Sequence, residues 1–203
     1  MFDERLEEFS RQRLGGRPVP EDIRLLATAQ WEGRGHPFER FGISVLESGA
    51  PHPLADFSYL SEKERADPDI MANCAASAQM ATYLRAVAQD EDGNFYGYWL
   101  HPQQRVDRNP PPVVKVDTEL TYWELGGRSF AEACLYDVAF DDDALFVEVA
   151  AALAQLHVAI SAGSREGLGQ LSADPAPDDV HRRLYYAERR RLGLPDAGDG
   201  SAP

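Results

Sequence analysis

The chain has 203 residues, 43% of them apolar, which is enough for one substantial core and cramped for two full domains. Its 34 acids against 20 bases give a net charge of −14, which argues against nucleic acid as a direct ligand and leaves a basic protein partner open. No run of eighteen apolar residues exists, and the acidic, amphipathic opening MFDERLEEF lacks the basic-then-apolar order of a signal peptide, so a soluble, cytoplasmic chain without membrane contact is expected.

The bases are 18 Arg and only 2 Lys, as a high-GC coding bias produces, but that bias does not make a chain acidic. Residues 1–164 carry 27 acids and 14 bases, so the acidity belongs to the main body and not to the tail.

In chain order, Phe2, Leu6, Phe9 and Leu14 recur at helical spacing beneath a charged face and predict a short amphipathic helix. GGRPVP breaks it. Pro20 opens a second helix, acidic in its first turn, which ends near Gly33. FGISVL reads as a strand, and residues 47–60 as loop. Asp67 and Pro68 then start a long helix with no breaker before Gly93, its face formed by Ile70, Cys74, Ala78, Ala81 and Leu84.

The stretch QDEDGN turns the chain into FYGYWL, where alternation puts Phe95, Gly97 and Trp99 on one face and Tyr96, Tyr98 and Leu100 on the other. Aromatics on both faces fit a central strand covered on each side, or one covered on one side and presented on the other. Residues 101–112 are too rich in proline for regular structure. VVKVD and LTYWEL follow as two strands around the turn DTE.

Ser129 and Glu132 have capping-box spacing and open a helix through about Val138. Asp141 to Asp143 cap a longer helix with Leu145, Val149, Leu153, Leu156 and Ile160 on one face. The order of helices, strand, helix, meander and helices is that of an α+β fold. Residues 1–163 are expected to form one α+β domain, and 164–203 an extension with one Arg-rich helix and a disordered tail. The arginines of that helix are expected to dock on the acidic body or on a second subunit, so a homodimer stays open.

The chain offers little nominated chemistry. Asp90, Asp92 and Asn94 have the opening spacing of a calcium loop, but Phe95 and His101 stand where glycine and glutamate are required. HExxH, GxSxG, GxGxxG and phosphate-loop patterns are absent, and the five histidines are scattered. Cys74 and Cys134 lack metal-ligand spacing and read as buried free thiols. No catalytic residue, metal or cofactor is therefore expected.

Taken together, AQDEDGNFYGYW, PPVVKVD and GGRSFAEACL resemble the central signature of the SUKH superfamily. The matching positions are Gly93, Phe95, Tyr96 and Trp99, then Pro112, Val113 and Val114, then Ser129, Phe130, Glu132 and Leu135. The resemblance covers roughly residues 90–135. It implies an α+β domain whose mixed, largely antiparallel sheet packs against several helices. It also implies a non-enzymatic function: bacterial members are immunity proteins that bind and neutralise polymorphic toxin domains, often nucleases, and a yeast branch acts in cell-wall signalling.

A basic toxin domain is the partner that the resemblance and the charge agree on, since an acidic inhibitor gains association rate by electrostatic steering. The expected binding face comprises Asp90, Glu91, Asp92 and Glu119 as acids, with Tyr98 and Trp123 as anchors. The alternative is a small enzyme or ligand-binding regulator with a pocket under the loop at residues 101–112.

Overall fold

Every residue of FYGYW is buried, because this run is the middle strand of a five-stranded sheet with helices on both sides. The computed structural model describes residues 2–104 and 111–195. In chain order come α1 (Phe2–Arg13), α2 (Glu21–Trp31), β1 (Ser44–Val45), α3 (Glu62–Arg65), α4 (Pro68–Tyr83), β2 (Leu84–Gln89), β3 (Phe95–Trp99), β4 (Val113–Val116) and β5 (Tyr122–Glu124). Four helices follow: α5 (Phe130–Val138), α6 (Asp143–Gln155), α7 (Arg165–Leu168) and α8 (Pro177–Arg191). The strands lie side by side in sequence order and every pairing is antiparallel, so the fold is α+β.

The alternation read from the sequence sorts the side chains of β3. Phe95 and Trp99 join Val114, Val116 and Tyr122 in one buried cluster, closed by Met80 of α4 and Val180 of α8. Tyr96 and Tyr98 join Val87 and Val113 in a larger one, closed by Phe9, Leu26, Phe130, Leu135 and Phe146 from α1, α2, α5 and α6. Burying each large apolar side chain contributes roughly 1.5–3 kcal/mol, so these two clusters supply the main driving force. Gly97 is dictated by packing, because a Cβ there would lie 2.6 Å from the carbonyl oxygen of Arg85 on β2.

Several expectations are corrected. The long helix stops at Tyr83, and residues 84–89, which the sequence divides between the end of that helix and the start of the QDEDGN turn, form β2. Leu84 is already extended, with φ −103° and ψ 120°. Pairing with β1 and β3 overrides local propensity here, since LRAVAQ lies between two strands that need a partner. The buried face of α4 is accordingly Ala72, Cys74, Ala76, Ser77 and Met80. The first strand is only Ser44–Val45, and Phe2 is 39% exposed. Helix α6 ends at Gln155, so Leu156 and Ile160 pack from beyond its end.

The caps hold better than the ends. Asp67 accepts from the amides of Asp69 and Ile70, and Asp142 from that of Leu145. Ser129 accepts from Glu132 as expected, but the Glu132 carboxylate, 2% exposed, accepts from the amides of Arg128 and Ser161 and not from Ser129. It is a buried clasp joining the start of α5 to the chain after α6. A complete capping box lies at Ser61 and Glu64. Cys74 and Cys134 are free and buried.

The segment after residue 163 shares both cores. Leu168 belongs to the larger cluster, Ala173 and Val180 to the smaller, and the indole Nε1 of Trp99 donates to the Pro175 carbonyl at 3.0 Å. Helix α8 packs on α4, where Arg189, 8% exposed, donates to Asp69 and to the Pro195 carbonyl. Arg182 and Arg191 pair within their own helix, with Asp179 and Glu188. The tail from residue 196 lies outside the described residues.

Candidate partner-binding face

Two hairpin turns share one end of the sheet and are built alike. In residues 90–94, Asp90 Oδ1 accepts from the amides of Asp92 at 3.1 Å and Asn94 at 2.9 Å. In residues 117–121, Asp117 Oδ1 accepts from the amides of Glu119 and Thr121, both at 2.9 Å. The fourth residue of each turn is left-handed, Gly93 at φ +89° and Leu120 at φ +65°. A short side chain that hydrogen-bonds its own backbone is what makes aspartate a turn former. The turns touch: a Cβ on Gly93 would lie 3.2 Å from Thr118 Cγ2.

The acids at this end therefore divide by role. Asp90 and Asp117 organise the turns. Burial raises the Asp117 carboxyl, but bonds from the Thr121 amide and hydroxyl and from the Glu119 amide outweigh it and hold its pKa below the ordinary value. Asp92 and Glu119 are exposed at the two tips. Glu91 is exposed but rests on Gly42, where a Cβ would meet its Cγ at 2.7 Å, so it leans towards β1 and away from β5. Asp90 also spends its second oxygen on the Asn94 amide group at 2.8 Å, which turns the carboxylate inward from any calcium-loop arrangement.

Trp123 lies on the edge strand β5 opposite Lys115 and is 55% exposed. Beside it, Phe140 after α5 is 64% exposed. The Arg165 guanidinium sits 3.8 Å from the Tyr136 ring centroid and 4.6 Å from that of Phe140, which fixes the second aromatic wall. Between the two walls runs an open groove of ≈ 690 Å³ that reaches Asn94 and Asp117 of the two turns. Its floor carries Asp137, which accepts from Lys115 Nζ and from the Tyr96 hydroxyl, both at 2.8 Å. Burial, then the Asp137 charge, pushes the Tyr96 phenol far up, so it stays a donor.

Tyr98 does not belong to this face. It is 4% exposed within the larger core, and its hydroxyl has no hydrogen-bond partner among the described residues. Burial, then the nearby Asp22 charge, pushes its phenol up as well. The face thus unites Asp90, Asp92, Glu119 and Trp123, keeps Glu91 at its margin and excludes Tyr98, because alternation along β3 turns Tyr98 towards α2 and α5. Asp117, Phe140 and Arg165 were missed. DTELT carries the same leading aspartate as DEDGN, a signal that could have been read. Phe140 carries none, since a lone aromatic before an aspartate run looks like core.

Residues 105–110, part of the loop proposed to cover a pocket, lie outside the described residues. Beside the loop's described ends is a cleft of ≈ 520 Å³ walled by Leu14, Val19, Tyr98, Leu100 and Pro111. Asp22 lines it and accepts from the Ala131 amide at 2.8 Å; burial raises its pKa despite that bond. No histidine lines this cleft among the described residues. Nor is any group of three or more His, Cys, Asp and Glu side chains among them placed to hold a metal ion. No described helix is long and apolar enough to cross a membrane.

No family model matches the chain, and no curated protein or solved structure matches it either.

Proposed function

We propose that this protein is a non-enzymatic binding module that holds a basic protein, and that the partner is a toxin domain, as the resemblance to SUKH immunity proteins implies. The observation that carries the reading is the pairing of two acidic turn tips with an exposed aromatic groove at one end of the sheet. Trp123 and Phe140 are large apolar surfaces left open beside Asp92 and Glu119, with Asp117 in the groove wall. An exposed tryptophan beside a groove is the kind of anchor that dominates interfaces, while rim acids steer the approach of a cation-rich partner. A basic side chain of the partner, neighbouring an apolar one, would meet both features at once.

The test is co-expression. The chain is expressed with the toxin domain found beside it or captured by it, and cell survival is scored. Wild type is expected to protect, Trp123→Ala with Phe140→Ala is expected to lose protection, and equal protection by both would sink the proposal.

A further inference from the structure

At the far end of β2 from the acidic turn, the composition of the chain is locally reversed. A pocket of ≈ 370 Å³ lies between α1, the chain after β1, the end of α4 and β2, and among its walls are Arg13, Ser48, His52, Thr82 and Arg85. No carboxylate lines it among the described residues, in a chain that has 34 acids to 20 bases.

Among the described residues the two guanidiniums have no counter-ion. Arg13 is 5% exposed, and its Nε and Nη2 donate to the Glu47 and Ala50 carbonyls at 2.6–3.1 Å. Its Nη1 makes no hydrogen bond among the described residues, and burial alone pulls its pKa down, with no carboxylate acting against that. Arg85 is half-buried, reaches beneath Gly15 at the end of α1, and makes no ion pair or side-chain hydrogen bond among the described residues.

The acids that could have served are engaged elsewhere: both Glu47 oxygens accept from Arg5 at 2.8 and 2.9 Å, and Glu8 pairs with Arg11 and Gln12. His52 cannot supply a negative charge or a spare donor, because its Nε2 donates to the Leu84 carbonyl at 2.8 Å and its Nδ1 accepts from the Leu54 amide at 3.1 Å. It is a neutral wall. Burial lowers its pKa first, and the charges of Arg13 and Arg85 lower it further, so both guanidiniums lie close to the same imidazole.

A partly buried cation without a partner is costly, and an anion of matching size removes that cost. We infer that the Arg13–Arg85 pocket binds a phosphate group, either inorganic phosphate or a small phosphate monoester. Donors come from α1, from β2 and from the Ser48 hydroxyl, so they approach from different directions. A tetrahedral oxyanion accepts such an arrangement, whereas a planar carboxylate is satisfied by one guanidinium fork. The site is independent of the partner-binding face and does not depend on that proposal.

The full chain is titrated with sodium phosphate against sodium chloride of equal ionic strength, followed by amide shifts in two-dimensional NMR. Saturable shifts are expected at Gly15, Ser48, Thr82 and Arg85. Arg85→Gln, which breaks no bond of the fold and should keep its melting temperature in chloride, is expected to weaken phosphate binding about tenfold or more. Phenyl phosphate binding more tightly than inorganic phosphate would identify a monoester as the occupant, and equal binding the free anion. Absence of saturable shifts, or shifts that Arg85→Gln leaves unchanged, would overturn the site.

Discussion

Strand β2 runs from a basic pocket to a turn of exposed acids, and the two ends handle charge in opposite ways. At the acidic end Asp92 and Glu119 stand in water, where salt screens each charge within about 8 Å, so they act on an approaching partner, most strongly at low salt, and little on the fold. At the basic end Arg13 is nearly sealed from solvent and held by carbonyls, so its charge acts at contact range and on the fold itself. The difference teaches that net charge describes what the molecule attracts from afar, while burial decides what each charged group does locally.

The largest effect should appear where charge is buried. Arg13→Ala removes the donor that ties α1 to residues 47–50 and is expected to cost about 2–4 kcal/mol, read by urea unfolding. A loss below half a kcal/mol would mean that this end is as tolerant as the other.

Next comes acid sensitivity. His36 has a buried side chain, and burial pulls its pKa from 6.5 to about 4; Glu39 at 3.8 Å is too exposed to offset this. The unfolded chain therefore binds the proton first, so the contribution of His36 to stability is complete above about pH 6.5 and is lost as pH falls towards 4. His52 and His181, lowered by burial, act in the same direction. His36→Gln should flatten that slope by up to one proton, worth about 2–3 kcal/mol across the window, and an unchanged slope would place the loss elsewhere.

The acidic end itself should split. Asp90→Ala and Asp117→Ala are each expected to cost about 1 kcal/mol, because each leaves two turn amides without acceptors. Asp92→Ala and Glu119→Ala should change stability by less than about 0.5 kcal/mol. Equal losses at all four would erase the distinction between turn-forming and presented acids.

The sequence shows these ends unequally. The acidic turn, the aromatic strand and the caps at Asp67, Ser129 and Asp142 are local, and local rules find them. LRAVA follows the α4 pattern with no breaker before it and locally favours helix, and only its neighbours β1 and β3 make it strand β2. The basic pocket was invisible, since Arg13 and Arg85 lie far apart in the chain and meet only through the packing of α1 on the sheet. Tyr98 and Trp123 looked equivalent as anchors, and the edge position of β5 separates them.

The most direct test of the partner-binding claim is parallel capture from the source organism's lysate and secreted fraction. Wild type is compared with a Glu91→Lys, Asp92→Lys, Glu119→Lys variant and with Trp123→Ala. The account predicts a basic protein retained by wild type at low salt, released as salt is raised, and lost from both variants. The same protein captured equally by wild type and by the charge-reversed variant would contradict it.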